Sequence, residues 1–204
     1  MSRTRSVRRP DGEAVASGAW DGAVNVWNPR TARLKKSLDG LLSVVHAVAF
    51  SADGNLIIGG RGDGTINIWN ARTYQLLETL KGHSGTVTSV CSHPGGGHLI
   101  SGHGDGSINV WNAGTYQLTR TLNGHSGIVT SVAASAGGEE IASASGDYLV
   151  GVWDFFPLVA DRRFPPDLFA ELSFSEENGN GYLDADEVAT LRLKLENRGR
   201  GEAL

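Results

Sequence analysis

An all-β fold made of one repeated four-stranded unit, followed by a fragment of a β-sandwich module, is what this 204-residue sequence predicts. Three observations carry the prediction. Tryptophans stand at positions 27, 69, 111 and 153, each 42 residues from the next. Aspartates keep register with them at 21, 63, 105 and 147, and Gly22, Gly64 and Gly106 follow the first three. Each of these turns lies between two short apolar runs, the strongest short-range signal for a hairpin. A repeat of roughly 40–45 residues is the length of one propeller blade of four antiparallel strands.

The strands follow in order. Before each turn come Glu13–Ala19, Asn55–Gly60, His98–Gly102 and Glu140–Ala144. After each come 23–27, 65–69, 107–111 and 149–153, in which Val or Ile alternates with Asn or Gly up to the tryptophan. Period two is strand periodicity. Leu76–Leu80 and Leu118–Leu122 form a further strand ahead of Gly82-His83 and Gly124-His125, and Thr86–Val90 and Ile128–Val132 form another behind them. One such unit cannot cover both of its faces, so the units must stack. Complete units end at Trp69, Trp111 and Trp153; the unit ending at Trp27 has its first strand missing or degraded in Ser2–Val7.

These residues resemble the WD40 repeat family over about residues 10–154, through Gly-His ahead of the first strand, Asp-Gly in the later turn and a tryptophan closing the third strand. Trp153-Asp154 keeps the family's dipeptide, whereas Trp27-Asn28, Trp69-Asn70 and Trp111-Asn112 vary it. The resemblance implies a partial WD40 β-propeller of about 3.5–4 four-stranded blades, where closed rings use 4–8. It also implies a buried hydrogen-bonded set per blade: Asp105, His83, Ser101 and Trp111 in one, Asp147, His125, Ser143 and Trp153 in another. A buried indole N–H needs an acceptor, a hydroxyl accepts and donates, and an imidazole bridges to a carboxylate. Two blades depart: Leu41 and Gly59 replace the His and Ser beside Asp63 and Trp69, and the blade of Ser17, Asp21 and Trp27 has no His. Packing should hold those two.

Composition excludes several classes. The formal net charge is −4, with Arg3, Arg5, Arg8 and Arg9 in a basic arm over residues 1–9 and 11 acids against 6 bases over 154–204. The repeats therefore lack the basic patch of a nucleic-acid-binding face. No apolar run reaches the ~18 residues of a membrane span, and no signal-peptide core follows the arginines. Cys91 is the single cysteine, so no intrachain disulfide forms; this favours a reducing, cytoplasmic location. Cys91 is expected to be a packed small hydrophobe. A His-Ser-Asp set that recurs per blade, with its serines inside strands, reads as a structural staple rather than a catalytic triad. His46, His93, His98 and His103 lack metal-ligand spacing.

Beyond a linker at 155–170, residues 171–204 resemble the opening of a bacterial immunoglobulin-like module, with an Asn-Gly-Asn-Gly turn and Asn197-Arg198-Gly199. Within it, Glu176, Asn178, Asn180, Tyr182, Asp184 and Glu187 fall at loop positions 1, 3, 5, 7, 9 and 12, with Gly181 at 6. That is the oxygen spacing of an EF-hand calcium loop. The plainer alternative is a solvated acidic turn. Leu191, Leu193 and Leu195 alternate with charged residues, so a strand follows rather than the helix of a true EF-hand.

The function expected is a non-catalytic protein-interaction scaffold that requires no cofactor, with calcium at 176–187 as the one candidate ion. Its partner is a protein or peptide, taken by the turn residues Trp20, Arg61, His103 and Ser145; Trp and Arg are enriched at binding hot spots. Open blade edges invite self-association. The chain is expected to be a piece of a larger bacterial protein. The alternative is an accessory region of a multidomain bacterial peptidase or kinase whose catalytic domain lies elsewhere.

Overall fold

Apolar residues alternating between fixed turns produce strands that are short, antiparallel and sequential. The computed structural model describes residues 6–38, 43–81 and 85–155, and the backbone alone of 168–176 and 189–197. Four sheets follow one another along the chain. The first holds β1 (Ser6–Arg8), β2 (Val15–Gly18), β3 (Val24–Asn28) and β4 (Arg33–Leu38). The second holds β5 (Val45–Phe50), β6 (Leu56–Arg61), β7 (Ile66–Asn70) and β8 (Leu76–Leu80). The third holds β9 (Val87–Ser92), β10 (His98–His103), β11 (Ile108–Asn112) and β12 (Leu118–Leu122). The fourth holds β13 (Val129–Ala134), β14 (Glu140–Ser145), β15 (Leu149–Asp154), β16 (Leu168–Glu176) and β17 (Ala189–Asn197).

Each sheet is one blade of a partial propeller. In the first blade, where the inner strand was expected to be missing or degraded in Ser2–Val7, a strand is present at Ser6–Arg8. β1 pairs with β2 in the register Ser6↔Ser17, Val7↔Ala16 and Arg8↔Val15, and its described part covers three residues where β5, β9 and β13 have six. In the fourth blade the outer position beside β15 is taken by β16, which begins at Leu168 and so crosses from the expected linker into the expected module. Residues 156–167 lie outside the described ones. β17 pairs with β16 from Leu168↔Asn197 to Glu176↔Ala189 and adds a fifth strand at the outer edge.

The core lies between blades, because each sheet is apolar on both sides. Ala16, Val24 and Val26 of the first blade pack on Val45, Ile57 and Trp69 of the second. Ile58, Ile66 and Ile68 pack on Val87, Leu99 and Trp111. Ile100, Ile108 and Val110 pack on Val129, Ile141 and Trp153. Close approach requires a missing side chain at one column. A Cβ on Gly18, Gly60 or Gly102 would stand 2.6, 2.5 or 2.6 Å from a methyl of Val45, Val87 or Val129.

On one side of the array the blades are stitched by their β-turns. Arg9 Nε donates to the Gly54 carbonyl at 3.0 Å, joining the first blade to the second. The Ala52 amide donates to Ser92 Oγ at 3.0 Å, joining the second to the third. His93 Nε2 meets the Gly138 carbonyl at 2.8 Å, joining the third to the fourth, and its ring stacks on Phe155 at 4.1 Å.

Candidate interaction face

The opposite side carries the four turns that follow β2, β6, β10 and β14. The aspartate column caps all of them from within. Asp21, Asp63, Asp105 and Asp147 each accept, on Oδ1, the amide two residues on, at 2.9–3.0 Å. These are Asx turns, in which the side chain stands in for a backbone acceptor. The strand connectors lie against the same turns: Gly62, Gly104 and Gly146 donate their amides to the Val44, Thr86 and Ile128 carbonyls at 2.9, 2.8 and 2.8 Å.

Three turns use the left-handed conformation at glycine: Gly22, Gly64 and Gly106 have φ of 87°, 83° and 88°. The fourth asks the same of Tyr148, at 68°. A non-glycine residue there is held by its surroundings at a local cost. Tyr148 projects outward and is 91% exposed. Trp20, on the first turn, is 65% exposed, and Ile128 beside the fourth turn is 44% exposed.

Beneath the face lie two polar chains. In the fourth blade Trp153 Nε1 donates to Ser143 Oγ at 2.8 Å, and Ser143 Oγ lies 2.8 Å from His125 Nε2. With its proton on Nδ1, His125 donates to Asp147 Oδ2 at 2.9 Å. The Ser126 amide reaches the same oxygen at 2.9 Å. Burial raises the Asp147 carboxyl, but the Leu149 amide, the His125 ring and the Ser126 amide outweigh it and hold the group below its ordinary value. The structure thus brings Asp147, His125, Ser143 and Trp153 together.

In the third blade Trp111 Nε1 donates to Ser101 Oγ at 2.9 Å, and Ser101 Oγ lies 2.9 Å from His103 Nε2. Asn109 Nδ2 donates to the same imidazole nitrogen at 3.0 Å, and Thr121 Oγ1 donates to Asn109 Oδ1 at 2.8 Å. His83, assigned to this set from the sequence, lies outside the described residues. In the first blade Trp27 Nε1 donates to Ser17 Oγ at 2.9 Å.

Two of the four expected contact residues are corrected. His103 and Arg61 are both completely buried, so neither meets a partner at the surface. β6 and β10 run one residue past the expected ends at Gly60 and Gly102, and strand alternation then turns Arg61 and His103 to the same side as Gly59 and Ser101. Arg61 donates from Nη2 to the Ser43 carbonyl at 3.0 Å. Its Nε and Nη1 are buried without a hydrogen-bond partner among the described residues. Burial pushes this guanidinium below its ordinary range, and the Asp63 carboxylate opposes that shift. Ser145 is half-buried; it donates to the Gly127 carbonyl at 3.0 Å and accepts the Asp147 amide at 3.2 Å. Only Trp20 of the four stands free of the surface.

Tyr148 and Ile128 were not anticipated. A signal for Tyr148 existed: it interrupts a column that is otherwise glycine. Elsewhere, a groove of about 430 Å³ runs along the outer side between β8 and the β11–β12 turn, lined by Lys81, Trp111, Tyr116 and Leu118 among others. Of the expected calcium ligands, Glu176 closes β16, and Asn178, Asn180, Tyr182, Asp184 and Glu187 lie outside the described residues. The segment after that loop is the strand β17.

Blades of this order, turn chemistry and spacing are matched by a family profile described as WD domain, G-beta repeat, over residues 9–28, 33–70, 74–112 and 116–154. The chain belongs to the WD40 repeat family. Two solved structures show the same architecture. The structure of U3-55K is 30% identical with a TM-score of 0.68 over 73% of this chain and 47% of that one. The crystal structure of RRP9 WD40 repeats is 30% identical with a TM-score of 0.68 over 72% of this chain and 46% of that one. This WD40 chain therefore spans less than half the length of either. No match is found among curated proteins. WD40 repeats generally mediate protein interactions as non-catalytic scaffolds. Among the described residues no helix is long and apolar enough to cross a membrane.

Proposed function

We propose that this WD40 chain is a non-catalytic scaffold that binds a protein or peptide on the face carrying the aspartate-capped turns. The observation that carries the reading is Tyr148. A 91%-exposed aromatic ring is held at φ 68°, where the equivalent residue of the other three blades is glycine. Strain retained for an outward-facing side chain argues for use of that side chain. Trp20 supplies a second large aromatic on the same face. Aromatics of this kind give contact area with little conformational entropy to lose, which is why they dominate hot spots. The capped turns keep both rings on a rigid frame, so little ordering cost falls on binding.

The test is a comparative capture. Wild-type chain and the double variant Trp20→Ala, Tyr148→Gly are immobilised in parallel, with circular dichroism to show that both are folded. Proteins retained by the wild type and lost by the double variant are expected. Identical sets on the two surfaces would remove this face from the account.

A further inference from the structure

A backbone amide nitrogen can attack the side-chain carbonyl of the residue before it. The attack needs a free side chain, an N–H that is not donated elsewhere, and no Cβ to shield the nitrogen, which glycine alone provides. Asp21, Asp53, Asp63 and Asp105 all precede glycine, and all are locked against it. Each carboxylate accepts the amide two residues on. Gly22, Gly54, Gly64 and Gly106 in turn donate their own amides to the Ala19, Ser51, Arg61 and His103 carbonyls. Asn70 and Asn112 are held likewise, each Oδ1 accepting two backbone amides.

Asn123-Gly124 differs on every count. It lies in the connector between β12 and β13, outside any strand. Asn123 is exposed and Gly124 is half-buried. Among the described residues neither the Asn123 side chain nor the Gly124 amide has a hydrogen-bond partner.

We propose that Asn123 is a site of self-modification by deamidation. The Gly124 amide nitrogen forms a bond to Asn123 Cγ. The Cγ–Nδ2 bond breaks, the proton of the attacking amide passes to the departing nitrogen, and ammonia leaves. The cyclic imide that remains is opened by water. Attack of water at one carbonyl gives aspartate on the original main chain. Attack at the other gives isoaspartate, in which the main chain runs through the former side chain and is longer by one carbon. Water is the single co-reactant.

The position gives the change its consequence. The residues after Gly124 are wedged between two capped turns. A Cβ on Gly106 would stand 2.6 Å from the His125 carbonyl oxygen, and one on Gly127 2.7 Å from the Asp147 nitrogen. His125 and the Ser126 amide hold Asp147 Oδ2, and Ser145 Oγ donates to the Gly127 carbonyl. A connector lengthened ahead of this clamp finds no slack within it, so the strain falls on the His125–Asp147 pair. Both products also place a carboxylate before that pair, and a like charge nearby opposes an ionised Asp147. Lys81 stands at the matching position one repeat earlier and has no amide to lose. The change therefore ages the turn that carries Tyr148, whatever that turn binds.

The experiment is peptide mapping by mass spectrometry of the full chain, kept folded at mildly alkaline pH for weeks, beside the same chain in denaturant. The tryptic peptide that begins at Thr121 is expected to gain the mass of an amide turned acid. It should split into aspartate and isoaspartate forms, at a rate close to that in denaturant, while Asn70 and Asn112 of the folded chain stay intact. The Asn-Gly pairs at 178 and 180 fall in a separate tryptic peptide. Gly124→Ala should slow the conversion many-fold. Asn123→Gln, whose longer side chain must close a larger ring, serves as the control if Gly124→Ala perturbs the fold. The thermal midpoint should fall with the converted fraction in wild type and hold in the slowed variant, and Asn123→Asp should reproduce only the share of the fall due to charge. An Asn123 that converts in denaturant but stays intact in the folded chain would overturn the proposal. So would conversion that neither variant slows, or a midpoint that does not move as isoaspartate accumulates.

Discussion

His125 Nδ1 stands 2.9 Å from Asp147 Oδ2 and ties the connector ahead of β13 to the turn after β14. The same carboxylate caps its own turn through the Leu149 amide. One side chain therefore fixes two segments of the face that carries the aspartate-capped turns, and its charge is what both need.

Stability should depend on pH through that group. The folded Asp147 carboxyl lies below its ordinary value, near ~3.9 in an unfolded chain. A depressed carboxyl contributes stability above the unfolded value, and loses it as pH falls through the folded one. Urea melts between pH 7 and pH 3 should show an acid loss that Asp147→Asn flattens. Ser143→Ala should cost about 1–3 kcal/mol at neutral pH, since it strands the Trp153 indole and the His125 ring.

Arg61 should be replaceable. Among the described residues Arg61 makes one hydrogen bond, to the Ser43 carbonyl, and its burial outweighs the pull of the Asp63 carboxylate. Buried charges of this kind are often neutral or stabilising when exchanged for an apolar residue of similar size. Arg61→Met is expected to leave the thermal midpoint unchanged or raised. A large fall would mean that Nε and Nη1 find acceptors in solution.

Tyr148→Gly should raise stability while weakening capture. Relief of a left-handed non-glycine residue contributes about 1 kcal/mol, offset in part by the extra freedom of glycine in the unfolded chain. Denaturant melts and partner binding should move in opposite directions. A destabilised variant would show that the ring is part of the packing.

Much of this was legible in the residues, and the failures have physical causes. Leu76–Leu80 and Leu118–Leu122 were placed to the residue, because turn chemistry bounds both ends. β4 was not located, since Arg33–Lys36 are all solvated and give no alternation. β5 escaped for the opposite reason: Ala47–Phe50 is buried on both faces and reads as a plain apolar run. Arg61 and His103 were aligned with a turn, whereas one more residue of strand pulls them inside. The outer strand of the last blade could not be assigned because β16 begins 15 residues after Trp153, against seven from Trp111 to β12.

Cys91 should be inert. Burial pushes its thiol up to about 12 despite an opposing contact with the Ala134 backbone, so almost no thiolate exists at pH 8. Native protein is expected not to react with iodoacetamide until denaturant is added. Rapid labelling of folded chain would contradict the packing between the third and fourth blades.

Equivalent indoles in stacked blades are the centre of the account, and their N–H exchange reads them directly. A ¹⁵N-labelled sample carries five tryptophan indole N–H groups to follow. Trp111 and Trp153, buried and bonded to Ser101 and Ser143, should exchange slowest, Trp27 on its half-buried blade faster, and Trp20 at the solvent rate. Five indoles exchanging alike, or Trp20 protected while Trp153 is open, would contradict it.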